Sequence, residues 1–150
     1  LPIKKILYFT EKGMGAFYYD LHDWKKISVR NVDDVSGCLA LVSRHHLSGK
    51  EKKILDHLGI TNTLTIGSTL KVMEISSGRG DVYLTTTNKM SQWDTCASWC
   101  VISEAGGKMT DILGNDLVYN TESVKHENGL LVTNGVVHEM IVSEILKVQN

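Results

Sequence analysis

Apolar and polar residues alternate over the first thirty positions. Residues 6–10 (ILYFT) and 16–20 (AFYYD) flank Gly13 and Gly15, a pattern that predicts a β-hairpin. Residues 26–32 predict a third strand. A hairpin with one more strand cannot bury both of its faces unaided. The polar stretch 33–37 (DDVSG) reads as a solvated loop and as the boundary between two regions, residues 1–35 and 36–150.

Beyond that loop the rhythm changes. Residues 38–42 (CLALV) form a short apolar run, as expected of a strand buried on both faces. Ser48 followed by Glu51 is a capping box, Ile54, Leu55 and Leu58 make a helical stripe, and Gly59 ends it. A strand is predicted at 63–66, a helix from Gly67-Ser68 to Ser77, and a strand at 81–85. Ser91 opens a helix that stops at Gly106-Gly107. Residues 108–112 and 116–119 face each other across Leu113-Gly114-Asn115 and predict a hairpin. A strand at 130–133 and an amphipathic helix through Val137, Met140, Ile141, Ile145 and Val148 complete the chain. Strands alternating with helices define the fold class as α/β, a layered mixed sheet with flanking helices.

The composition narrows the function classes. The 150 residues are 42% hydrophobic and 22% charged, which suits one globular domain. A formal net charge of −1 gives no field to attract nucleic acid or an anionic membrane. With no long apolar run and no basic-then-apolar leader, a cytoplasmic protein is expected. Cys38, Cys96 and Cys100 are too few and wrongly spaced for a disulfide scaffold, and buried free thiols are expected. The abrupt start, Leu1-Pro2-Ile3 running straight into a strand, suggests a chain that begins inside a larger unit.

Candidate chemistry gathers at three strand-to-helix junctions: Ser43-Arg44-His45-His46, Gly67-Ser68-Thr69 with Lys71, and residues 88–92 leading into Trp93-Asp94-Thr95. If those strands are parallel, the junctions share the sheet edge where open α/β sheets bind ligands. Helix N-termini there favour phosphate. Each residue also has a plainer reading. Ser43 and Ser68 serve as caps, and Ser91 with Asp94 is itself a capping box, which on pattern alone outweighs a metal ligand. Lys71 opposes the helix dipole in a first turn, which makes a nearby anion more attractive.

Trp93-Asp94-Thr95-Cys96-Ala97, with Glu104-Ala105-Gly106-Gly107 one helix length on, resembles the second signature of the inositol monophosphatase superfamily. These are magnesium-dependent, lithium-sensitive phosphomonoesterases. Ser43-Arg44-His45-His46, Gly67-Ser68-Thr69-Leu70-Lys71, and residues 107–112 with Gly114-Asn115 look most like the 3′(2′),5′-bisphosphate nucleotidases, which hydrolyse adenosine 3′,5′-bisphosphate, a by-product of sulfate activation. The resemblance implies Mg2+ as cofactor and Asp94 as a catalytic, metal-binding carboxylate. It implies that Ser43 and His46 contact the nucleotide and that Gly67 and Lys71 hold nucleotide and phosphate. Glu104 matches a position that contacts the sugar in inositol-type enzymes.

The superfamily's first signature, Asp-Pro-(Ile/Leu)-Asp-Gly-(Ser/Thr), is absent from the sequence, as is the upstream glutamate that shares its metals. The resemblance therefore implies that the hairpin belongs to the sheet of an absent N-terminal domain, that this chain alone is inactive, and that its open hairpin self-associates. The alternatives are a sugar phosphatase of the inositol type and a non-catalytic nucleotide-binding or partner module.

Overall fold

β1 (Leu7–Glu11) and β2 (Gly15–Tyr19) pair antiparallel, with Leu7 opposite Tyr19 and Glu11 opposite Gly15. Gly13 and Gly15 hold φ at 79° and 95°, which closes the turn without Cβ strain. β3 (Trp24–Ile27) adds to the far side of β2. The third strand is thus shorter than the expected 26–32. The reason is that the Val29 N–H donates to the Ala105 carbonyl at 3.0 Å and Arg30 turns to Asp81, so the chain leaves the sheet. Ala16, Ile27, Tyr8 and Tyr18 pack inward, while Leu7, Phe9 and Trp24 stay exposed on the outer face.

The computed structural model describes residues 1–43, 47–67 and 69–149. Its second sheet runs β5-β4-β6-β8-β7, built from β4 (Ala40–Val42), β5 (Thr63–Thr65), β6 (Val82–Thr85), β7 (Lys108–Thr110) and β8 (Leu130–Thr133). β4 is parallel to both β5 and β6, whereas β8 is antiparallel to β6 and β7. The mixed sheet and the α/β class expected from the sequence are both present.

Period-two alternation divides the core. Ala40, Val82, Leu84 and Leu131 face α1 (Gly49–His57) and α4 (His138–Gln149), packing on Ile54, Leu55, Ile141 and Ile145. Their neighbours Leu41, Leu130 and Val132 face α2 (Leu70–Ser76) and α3 (Gln92–Glu104), packing on Val72, Ile75, Val101 and Ile102. Ala16 and Ile27 of the small sheet join this second cluster. Four layers result: small sheet, α2 with α3, large sheet, α1 with α4.

Two polar ties lock the layers. The Glu104 carboxylate, at the end of α3, accepts the amides of Gly13 (3.0 Å) and Gly15 (3.1 Å) in the hairpin turn. Asp81, fully buried, pairs with Arg30 through both oxygens and also accepts the Leu39 N–H at 2.8 Å. After α3, Gly106 takes φ 89° to reverse the chain, and a Cβ on Gly107 would lie 2.6 Å from Ile102 Cδ1 and 2.7 Å from the Thr133 carbonyl. The Gly-Gly pair is thus demanded by a turn followed by close packing.

Two further expectations are corrected. Residues 108–112 and 116–119 do not form a hairpin among the described residues. β7 pairs with β8, and a single bridge joins Thr110 to Asp116. The Asp111 carboxylate curls the turn by accepting the Leu113 and Asn115 amides at 2.9 and 2.8 Å, and Tyr119 is drawn away to α3. Of the cysteines, Cys38 is buried, but Cys96 and Cys100 are exposed on the outward face of α3, beside Trp93. That face is apolar but uncovered among the described residues. No described helix is long and apolar enough to cross a membrane.

Candidate active site

Because β4, β5 and β6 run parallel, their C-terminal ends lie on one edge, and the chain leaves each of them toward a helix. A cleft of about 780 Å³ opens there, lined by Ser43, Lys71, Tyr83, Thr86, Asp94 and Leu130 among others. Ser43, Lys71 and Asp94, identified separately in the sequence, are therefore brought together. His46 lies outside the described residues, as do Arg44, His45 and Ser68. Gly67 sits in the exposed turn between β5 and α2, with open space around its Cα.

Lys71 is 3% exposed. Its ammonium donates to Ser43 Oγ at 3.1 Å and to the Ile66 carbonyl at 3.4 Å, and lies 4.5 Å from the centre of the Tyr83 ring. Among the described residues no carboxylate comes within ion-pair distance of it. Burial lowers its pKa, with Glu51 partly opposing. A buried cation without an anion is costly unless a ligand supplies the charge.

Asp94 occupies the first turn of α3. One oxygen accepts the Ser91 N–H at 2.8 Å, as the capping-box reading required. The other oxygen has no hydrogen-bond partner among the described residues, so the cap and a ligand role are compatible. The helix start is clamped from behind. Gln92 accepts the Asn120 N–H at 2.8 Å, Lys125 donates to Ser91 Oγ at 3.1 Å, and the buried Thr95 hydroxyl meets His126 Nε2 at 2.7 Å. Burial lowers the His126 pKa, with Asp94 opposing.

Tyr83 and Glu51 are among the lining residues that the sequence did not mark as site residues. Tyr83 looked like a strand position, and its alternation toward the α2–α3 side was the available signal; burial and then Glu51 push its phenol up to about 12. Glu51 was read as a helix cap only. It caps, but it is 3% exposed and also accepts the Thr86 N–H at 2.8 Å. Glu104, committed to the hairpin amides, does not line the cleft.

A description of the inositol monophosphatase family matches residues 1–150, the whole chain. The chain belongs to the inositol monophosphatase family. Among curated proteins it is similar to 3′(2′),5′-bisphosphate nucleotidase 1 of Mus musculus, 40% identical over 77% of this chain and 35% of that protein. It is also similar to the 3′(2′),5′-bisphosphate nucleotidase of Schizosaccharomyces pombe, 28% identical over 93% of this chain and 43% of that protein. Among solved structures, 2′AMP-bound SaIMPase-II shares the fold with a TM-score of 0.76 at 20% identity, over 96% of this chain and 53% of that one. The chain thus spans less than half the length of these curated relatives.

Proposed function

We propose that this chain forms the α/β part of a phosphomonoesterase that removes the 3′-phosphate of adenosine 3′,5′-bisphosphate or a close relative. The observation that carries the reading is Lys71, a buried cation lining the same cleft as Asp94, one of whose oxygens has no hydrogen-bond partner among the described residues. A phosphate ester fits both ends: Lys71 and Ser43 hydrogen-bond an anionic oxygen, and charge-assisted contacts of this kind are the strong ones. The cleft's size and its Tyr83, Met90 and Leu130 walls favour a nucleotide over a small sugar phosphate. The curated relatives named as bisphosphate nucleotidases support the same choice.

The family resemblance implies magnesium. Asp94 fits as one oxygen ligand, but among the described residues no three His, Cys, Asp or Glu side chains converge on an ion. A bound divalent ion would supply charge stabilisation at the phosphoryl oxygens and an acidified water. This chain's own residues bind and orient: Lys71 and Ser43 hold an ester oxygen, and the clamp behind α3 keeps Asp94 at the cleft mouth. The remaining ligands, in this reading, come from an N-terminal domain, and residues 1–35 complete its sheet while 36–150 carry the cleft. A second reading follows from Asp94 being, among the described residues, the cleft carboxylate with an oxygen left over, since both Glu51 oxygens hold amides: this chain by itself binds the nucleotide without cleaving it.

Asp94→Asn in the intact enzyme tests the assignment. The cap to the Ser91 amide survives through the amide oxygen, while turnover of adenosine 3′,5′-bisphosphate is expected to fall at least a hundredfold, as for loss of a transition-state contact. Near-normal turnover would remove Asp94 from the chemistry. Faster hydrolysis of inositol monophosphate than of the bisphosphate by the unsubstituted enzyme would shift the substrate class to sugars.

A further inference from the structure

We infer that Glu51 is a positioning residue that clips the two rims of the cleft together and so sets the affinity for the phosphate ester; this rests on the reading of the site given above. A capping-box glutamate needs one oxygen, for its own helix. Glu51 uses both. One accepts the Ser48 N–H at 2.7 Å and caps α1, and the other accepts the Thr86 N–H at 2.8 Å, thirty-five positions along the chain. Thr86 lies one residue past Thr85, the last paired residue of β6, so the sheet register does not extend to it. The Ser48 and Thr86 hydroxyls meet across the same seam at 3.4 Å. All three residues line the cleft.

The clip is a buried carboxylate held by two backbone amides, with no cation at ion-pair distance among the described residues. Lys71 attracts it through space from the same cleft. One rim is the N-terminus of α1. The other is the segment 86–90 that leads into Ser91 and Asp94. Since the start of α3 is fixed independently by Gln92, Thr95 and Lys125, opening the clip loosens the walls around the bound ester and leaves Asp94 in place. The expected signature is a change in KM with little change in kcat.

Two substitutions in the intact protein separate the clip from the cap. Glu51→Asp keeps the charge and can still reach Ser48, but it is one methylene too short for Thr86. Glu51→Gln keeps the length but turns an amide donor toward one of the two N–H groups. Both are expected to raise KM for adenosine 3′,5′-bisphosphate about tenfold, the worth of one hydrogen bond, with kcat within about threefold. Amide exchange at Thr86 is expected to be slow in the unsubstituted protein, slower still with 2′AMP bound, and fast in Glu51→Asp.

A folded Glu51→Asp with unchanged KM, or with kcat lost and KM kept, overturns the inference. So does a Thr86 amide that exchanges at the free-peptide rate in the unsubstituted protein, a measurement that stands even if both variants fail to fold. If the unsubstituted protein neither binds nor cleaves any phosphate ester, the proposed function fails, and the inference with it. Normal activity with an unclipped Thr86 sinks the inference alone.

Discussion

Replacing Lys71 by Met removes a buried charge while keeping a side chain of similar length, and binding and stability should then move in opposite directions. The ammonium is 3% exposed, holds Ser43 Oγ at 3.1 Å and sits over the Tyr83 ring. Its contact with a phosphate oxygen should be worth about 1.5–3 kcal/mol. Losing it weakens nucleotide affinity by roughly 10- to 150-fold. The folded apo protein loses the ammonium's hydrogen bonds to Ser43 Oγ and the Ile66 carbonyl, about 1.5–3 kcal/mol for a charged donor, and a cation–π contact of about 1 kcal/mol. It gains relief from burying an unpaired charge, an effect of several kcal/mol. The net expectation is a melting temperature unchanged or raised by about 2–4 °C for a chain of this size.

The pH dependence adds a second check. Burial holds the folded-state pKa of Lys71 below its ordinary 10.5. As pH rises between the lowered value and 10.5, the unfolded chain holds more protons than the folded one. Stability contributed at this site therefore rises through that window. Lys71→Met should abolish that rise. Calorimetric titration with 2′AMP alongside thermal melts from neutral to alkaline pH reads all three quantities. Unchanged nucleotide affinity in the variant, or a clear loss of stability matching the loss of affinity, would refute the reasoning.

Three other expectations are open to test. His138 is fully buried between the Thr110 and Thr133 hydroxyls, and burial drops its pKa to about 4. The unfolded chain therefore takes up the proton first as pH falls from 6.5 to about 4, and up to about 3 kcal/mol of stability is lost across that window. Acid denaturation of His138→Gln, compared with the unsubstituted protein, should lack that component. Arg30→Met leaves Asp81 buried with only the Leu39 amide, a destabilisation of about 3 kcal/mol readable by urea titration; a loss below about 0.5 kcal/mol would show the pair to be a surface contact. The outer sheet face, with Leu7, Phe9 and Trp24 half exposed, should drive concentration-dependent association of this chain, and Phe9→Ser with Trp24→Ser should abolish it in sedimentation. Monomeric behaviour of the unsubstituted chain at high concentration would remove that expectation.

Short-range signals were legible in the sequence. The glycine turn between Gly13 and Gly15, the Ser48–Glu51 box, the Ser91–Asp94 box, the apolar run at 38–42 and the strand at 81–85 each act within a few residues, and each has its counterpart in the fold, the last two as β4 and β6. Contacts between distant positions were not. Glu104 grips amides ninety-one and eighty-nine positions upstream, and Glu51 crosses to Thr86; no local pattern distinguishes such a carboxylate from an exposed acid. The strand at 26–32 was overextended because polar and apolar positions mix through the whole stretch, yet the Val29 amide belongs to the end of α3. Cys96 and Cys100 were expected inside because thiols usually are. They are exposed on α3, whose apolar residues show no period that separates the exposed face from the core face.

α3 carries the Asp94 carboxylate near one end and, ten residues later, the Glu104 grip on the hairpin turn. At 1.5 Å per residue that is a rigid beam of roughly 15 Å. A tilt of only about four degrees at the hairpin end moves the carboxylate by about 1 Å, a misplacement able to slow chemistry roughly a hundredfold. The small sheet is thus an alignment bearing for the acid, and whatever presses on its outer face is mechanically coupled to the cleft.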